Sequence, residues 1–429
     1  MFFWSATIRI ISAEIIFYSH TEVYVRSRYL NLAGIFFLIT IAAQSIAAEP
    51  VETSLTGRLL IDTRFHSYPE QTFLSGDNTL AWFEPRNARI DFKTNLYDLY
   101  ALKISLEMTE SPELTDVYAE RQWADEIGWR MGQFQVPYGN EDYGSSKYTP
   151  LLEKAAIVRA LSSDRNAGLS IFGAFFDNVV YYELGLFSGA GPNVSDNNAS
   201  LNIAGRVAAN ALFMFDETAQ LWLGFSFDVG AQKARDDSRA ALRPETRSDA
   251  SLFRATFDDG REYDVSKVGF DISTVLGPTL WRFEYLYANY SFDSSAAISG
   301  GYFLASWIVT GEVPALEFGV SDQQKVDDPV TDDGWGAIEV LFRYSFFSIG
   351  DAFFQTDGLY SGWEALSFAE NSDSGSGLTF GVNWYLTEEM KVMANWVTTF
   401  AVQNQPNTND AGESAAVENA LLLRWQWLF

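Results

Sequence analysis

The sequence predicts an all-β fold, a transmembrane antiparallel β-barrel with short periplasmic turns and long extracellular loops. Three features predict it. Apolar and polar side chains alternate with period two from Leu55 to Phe429, short and long connections follow one another along the chain, and the last run is amphipathic and stops on Phe429.

Composition agrees with the pattern. With 34 Phe, 20 Tyr and 13 Trp the chain is 16% aromatic and 20% charged, and its mean hydropathy is close to zero. A soluble domain would need a very large core to hide so many rings, whereas a barrel turns them outward to lipid and to two interfacial girdles. There is no cysteine among the 429 residues, which excludes disulfide frameworks, thiolate metal sites and cysteine nucleophiles. The net charge of −27, from 29 basic and 56 acidic residues, argues against nucleic-acid partners, because phosphate neutralisation needs clustered Lys and Arg.

Arg26 and Arg28 precede an apolar run from Leu30 to Ala43, followed by Ser45-Ile46-Ala47. This is the layout of a basic n-region, an h-region and a small-x-small cleavage site. We expect a signal peptide over residues 25–47, cut near Ala47, and export to the outer membrane of a Gram-negative cell. The leader reads as complete from Val25, which suggests a misassigned start codon for the stretch before it. Residues 1–47 would then be an N-terminal extension plus signal peptide, and 48–429 a single barrel domain. No later segment reaches about 18 uninterrupted apolar residues, so no membrane helix is expected.

The alternation gives each strand a face. Ala88, Ile90, Phe92 and Thr94 oppose Arg89, Asp91 and Lys93; Tyr100, Leu102, Ile104, Leu106 and Met108 oppose Lys103 and Glu107. Trp281, Phe283, Tyr285 and Tyr287 alternate with Arg282 and Glu284, and Ile338, Val340, Phe342 and Tyr344 with Glu339 and Arg343. In a membrane barrel with a wet interior the apolar face meets lipid and the charged face meets water, the reverse of a soluble sandwich. Helical period is confined to the stretch near Leu151 to Leu161.

Asn95 to Asp98 and Gly277 to Thr279 read as tight periplasmic turns. Gly189 to Ser200, Gln232 to Ser251, Ser321 to Gly334, Gly362 to Ser376 and Val402 to Val417 read as long polar loops at the other end. In the last run Leu421, Leu423, Trp425, Trp427 and Phe429 alternate with Arg424 and Gln426. A terminal amphipathic strand ending in Phe resembles the signal read by the barrel assembly machinery, which is the expected partner of Phe429.

Several stretches resemble the phosphate- and polyphosphate-selective porin family, the porin O and P type. Gly132-Gln133-Phe134-Gln135-Val136-Pro137-Tyr138-Gly139-Asn140-Glu141 is similar to the family's Gly-Gln-Phe/Tyr-x-x-Pro-Phe/Tyr-Gly-x-Glu motif. Arg165-Asn166-Ala167-Gly168, Thr310-Gly311-Glu312, Gly336 to Glu339 with Arg343-Tyr344, Asn383-Trp384-Tyr385 and Leu423 to Gln426 follow in matching order. The resemblance implies a barrel of about 16 strands that forms homotrimers. It also implies a third loop, here Pro137 to Asn166, folded into the lumen, and a channel for passive diffusion of small anions, phosphate-type anions among them. Outer-membrane lipid and lipopolysaccharide are then partners, and no cofactor is implied. That loop carries Lys147, Lys154, Arg159 and Arg165 against Glu141, Asp142, Glu153 and Asp164, and lacks the lysine density of phosphate-selective members.

Taken at face value, the alternation turns Arg58, Arg89, Lys93, Lys103, Arg206, Arg254, Lys267, Arg282, Arg343 and Arg424 inward, with fewer acids, Asp91, Glu107, Asp271, Glu284 and Glu339. With Arg130, two residues before the motif, and the loop cations, these are the candidate pore-lining and constriction residues. A ring of cations in a narrow bore favours anions; pairing with lumen acids, which merely braces the wall, is the competing reading. The acidic loop runs Asp236-Asp237, Asp258-Asp259, Asp327-Asp328 and Asp332-Asp333 have no calcium-loop spacing and read as solvated, against a divalent bridge to lipopolysaccharide.

Three other functions compete. A general or cation-preferring porin differs only in ion sign, and an adhesin or receptor barrel would not conduct. A barrel hydrolase needs a tuned base, and the chain offers only His20, within the segment expected to be removed, and His66, near the end of the first strand. No catalytic or metal-binding set is predicted.

Overall fold

The computed structural model describes residues 51–66, 81–97, 99–109, 111–194, 201–212, 219–234, 239–248, 251–354, 363, 371–402 and 417–429. The predicted leader with His20, the pair Asp236-Asp237 and most of the Gly362 and Val402 loops lie outside them. The barrel unit spans Glu52–Phe429.

The strands are β1 (Val51–His66), β2 (Ala81–Leu96), β3 (Tyr100–Glu107), β4 (Glu113–Ala124), β5 (Ile127–Gln135), β6 (Arg165–Phe175), β7 (Val180–Phe187), β8 (Asn202–Asn210) and β9 (Gln220–Lys233). After them come β10 (Arg239–Leu242), β11 (Phe253–Thr256), β12 (Glu262–Leu276), β13 (Thr279–Ser291), β14 (Ser295–Ile308), β15 (Leu316–Glu317) and β16 (Val320–Ser321). The chain ends with β17 (Ala337–Ile349), β18 (Ser374–Tyr385), β19 (Met390–Val402) and β20 (Val417–Leu428). Sixteen of these close an antiparallel barrel in chain order, while β10–β11 and β15–β16 form separate two-stranded hairpins.

All the barrel strands but β3 and β7, which have eight residues each, reach the length of about 9–11 tilted residues that spans the hydrocarbon. Alternation sets their faces: Met131, Leu184, Ile203, Phe225, Phe270, Trp281 and Phe380 stand exposed on the outside. So many large apolar side chains turned outward from successive strands fit a lipid-facing wall. The seam closes on the last residue. Gly57 donates to the Phe429 carbonyl at 2.6 Å and accepts from the Phe429 N–H at 3.1 Å. A Cβ on Gly57 would sit 2.4 Å from the Phe429 ring, so this contact needs glycine. Inside the seam Arg424 clamps Asp62 with two bonds of 2.7 Å.

One end of the barrel carries the short turns, including Gly277–Pro278 between β12 and β13. The segment 309–336 leaves β14 at that same end, where the Ile308 N–H donates to the Pro278 carbonyl. Ser321 to Gly334 is therefore no loop of the long-loop end. Instead β15 and β16 form a tongue on the turn side. The expected third loop also starts and stops differently: it runs over residues 136–164, and Arg165 and Asn166 already belong to β6.

Helix α1 (Ala156–Leu161) lies in that loop and matches the helical stretch of the sequence. Six residues cannot hold a helix alone. It persists because Ala156, Ile157, Val158 and Leu161 are buried, against β10, β13, β14 and β17. The fifth loop (residues 234–261) adds Leu242, Leu252, Phe253 and Phe257 to the same apolar cluster, which covers the inner faces of β12, β13 and β14 at Val265, Leu286, Ala288, Ile298 and Leu304. Much of the lumen on this side is filled. Arg254, expected on a wall strand, sits instead in the β11 hairpin with its side chain exposed, because the fifth loop forms strand structure of its own.

Candidate functional site

The third loop is pinned by the motif that the sequence singled out. The N–H groups of Asn140 and Glu141 donate to the two carboxylate oxygens of Glu284, at 2.6 and 3.2 Å, and the Gly139 N–H donates to Ser226 Oγ at 3.0 Å. Gly139 has φ +73°, and a Cβ there would stand 3.0 Å from Glu284 Oε1, so glycine suits both the left-handed turn and the close approach. Asn140 Nδ2 donates to Asp271 at 2.7 Å and to the Gly319 carbonyl of the tongue at 2.9 Å. Asp271 is in turn held by Arg206 through bonds of 2.6 and 3.0 Å. Glu141 accepts from Arg343 at 3.2 Å.

On the opposite wall the interior stays open. A central cavity of about 420 Å³ is lined by Arg58, Arg89, Lys103, Arg130, Lys147, Lys154 and Arg165, with Asp91, Asp116, Asp142, Glu317 and Asp322. A cavity of about 290 Å³ adjoins it toward the long-loop end and shares Arg89. Toward the turn end lies one of about 700 Å³ that shares Arg130, Tyr143, Glu317 and Val320 with the centre. The three stand in series along β1 to β6.

Sign changes along this series. The outer cavity has Arg86, Arg89 and Arg247 against Glu84, Glu107 and Glu113. The centre has seven cations against five carboxylates. The inner has Arg121 and Arg130 against Glu120, Asp125 and Glu317. Within the centre, Lys103 and Arg165 share Asp116 at 2.9 and 2.6 Å, Lys154 holds Asp142 at 2.8 Å, and Arg130 bridges Glu120 at 2.9 Å and Glu183 at 3.4 Å. Arg58 bonds to the neutral Asn87 side chain, and Lys147 stands over the Tyr148 ring. Burial holds the Lys147 ammonium below the usual lysine range, with Asp91 opposing it and Arg58, Lys103 and Arg89 adding to it.

The other candidates lie elsewhere. Lys93 is exposed near the turn end and lines none of the three cavities. Arg159, on α1, donates to the carbonyls of Arg243 and Pro244. Arg282 donates to Ser273 and to the Gly319 carbonyl, and Arg343 to Glu141 and Glu245. Both point inward but are buried under the loops, so alternation gave the face and not the water. Arg206, Lys267 and Arg424 are likewise buried on the inner face. Glu317, Asp322 and Tyr143 were missed; the Phe318-Gly319 pair between Glu317 and Val320 is the hairpin signal that could have flagged the tongue.

The sequence signature described as phosphate-selective porin O and P matches residues 55–429. The chain belongs to that family. The porin is thus an outer-membrane β-barrel and a passive channel. Its fold is similar to that of OmpT, an outer membrane protein of Vibrio cholerae in trimer form (TM-score 0.53, 12% identity, covering 89% of this chain and 100% of the other). It is similar also to an anion-selective porin from Comamonas acidovorans (0.52, 10%, 89% and 100%) and to the outer membrane channel DcaP of Acinetobacter baumannii (0.50, 9%, 88% and 97%). No curated protein matches the porin sequence.

Proposed function

We propose that this porin passes small anions, phosphate-type anions among them, by weak and sequential contact along the β1 to β6 wall. The observation that carries the reading is the central cavity, where cations outnumber carboxylates and Arg58 and Lys147 have no ion-pair partner among the described residues. A solute leaving bulk water loses hydration there and gains positive potential in its place. Paired Lys103, Lys154 and Arg165 hold the wall and leave room for shallow binding. Depth without a dense lysine cluster favours flux over tight phosphate capture. Reversal potential across a planar bilayer under a KCl gradient tests the ion sign: anion preference is expected, and cation preference overturns the reading.

Several further parts belong to the proposal. The leader over residues 25–47 is removed near Ala47, the mature barrel reaches the membrane through the assembly machinery by its last strand, and lipopolysaccharide surrounds it. The porin assembles as a homotrimer, as the trimer form of the Vibrio cholerae protein suggests. It performs no catalysis: His66, one of two histidines in the sequence, lies within 3.3 Å of Glu418 at the end of β1. Lipid and peptide hydrolysis assays on purified protein should show no turnover.

A further inference from the structure

The tongue is held as firmly as the third loop. Phe318 has φ +50°, a strained setting for a bulky side chain, and Gly319 follows at φ +84°. The Phe318 ring stacks on Tyr181 at 4.5 Å and meets Trp222 edge-on at 6.1 Å, while the Gly319 carbonyl accepts from both Asn140 and Arg282. A tip fixed on both sides fixes the residue beside it. Glu317 lines the central and the inner cavity at once, and its side chain is exposed to the water between them.

The charges around that junction are uneven. Arg130, which also lines both cavities, is already shared by Glu120 and Glu183. Neither Glu317 nor Asp322 takes part in an ion pair among the described residues. Without the two tongue acids the central cavity would hold seven cations against three carboxylates. The tongue therefore halves the positive excess and places an unpaired carboxylate on the way out.

We propose that Glu317 is the specificity-determining residue of this channel, a repulsive charge at the junction of the two cavities that passes singly charged anions, the monoanion of phosphate among them, and slows multiply charged ones. The idea rests on the anion-passing reading above. Repulsion grows in proportion to the charge of the ion, so a dianion meets about twice the barrier of chloride at the same point. Acid relieves it. Partial desolvation at the cavity border and the neighbouring Asp322 charge push the Glu317 carboxyl up; around it stand Arg130 from β5 and Tyr143 and Tyr148 from the third loop in the central cavity, and Glu120, Arg121 and Asp125 in the inner one. As pH falls toward the ordinary glutamate range, Glu317 protonates before a free glutamate would, and sulfate permeability should rise.

The experiment is bi-ionic reversal potential with chloride and sulfate, on full-length porin in planar bilayers. Glu317→Gln should raise the sulfate-to-chloride permeability ratio by roughly threefold or more and flatten its pH dependence, and Glu317→Lys should raise it further. Glu317 is exposed, so neither change threatens folding, and open-channel conductance reports on any that does. An unchanged ratio in both variants, with wild-type anion preference intact, overturns the proposal. A cation-preferring wild type would instead overturn the anion reading, while a shift toward anions in Glu317→Gln would still support the role of this carboxylate.

Discussion

Arg130 on β5 and Arg343 on β17 both point into the barrel and both hold two carboxylates, yet they serve different ends. Arg130 borders water in two cavities, whereas Arg343 is 1% exposed beneath the third and fifth loops. The wall from β1 to β6 borders the three cavities, although Arg58, Asp91 and Asp116 on it are themselves buried and Arg64 is tied to the Arg247 carbonyl of the fifth loop. The wall from β12 to β17 is covered by α1 and the β10–β11 hairpin, and its charges become struts. Alternation is the same in both regions; what differs is whether a loop of apolar residues is present to cover it.

Breaking a strut should give the largest effect. Asp271→Ala leaves Arg206 buried without its carboxylate and removes one bond of Asn140, at a cost of roughly 3–5 kcal/mol; the midpoint of denaturant unfolding in detergent should fall accordingly. Ile157→Ala on α1 removes packing from the covered half and should cost about 2–5 kcal/mol by the same measure, with channel selectivity unchanged.

Acid should act at the border between the halves. Burial pushes the Glu153 carboxyl up, but Arg247, Arg86, Arg159 and Arg424 outweigh it and hold the group below the usual glutamate range. A depressed carboxyl stabilises the fold above the ordinary glutamate value and loses that contribution as pH falls through the folded one. Glu153→Gln should therefore be less stable than wild type near neutrality, and the gap should narrow under acid; a gap that widens would contradict this. The smallest effect on stability is expected in the open half. Lys147→Ala should stay within about 0.5 kcal/mol of wild type, yet lower the chloride-to-potassium permeability ratio.

Strand identity and strand face were legible in the sequence because both depend on neighbours two residues apart. Trp281, Tyr344 and Trp425 stand outside and Arg58, Asp91 and Arg424 inside, as their phase requires. Which inward charge touches water was not legible. Arg282 and Arg343 are covered by residues from the tongue and from the third and fifth loops, up to 202 positions away. The tongue was misread because Ser321 to Gly334 is as long and polar as the loops of the opposite end, and only the position of β14 in the strand order assigns it to the turn side. The fifth loop hid strands of its own, which is why Arg254 was mistaken for a wall residue.

The absence of cysteine makes one labelling experiment decisive. Ser145→Cys lines the central cavity, and Ser345→Cys lies buried under the fifth loop, where the native hydroxyl donates to Glu245 at 2.6 Å. A small anionic thiol reagent added to open channels should block current through Ser145→Cys and leave Ser345→Cys conducting. Rapid block at Ser345→Cys with none at Ser145→Cys would place the water path in the other half of the barrel and contradict the account.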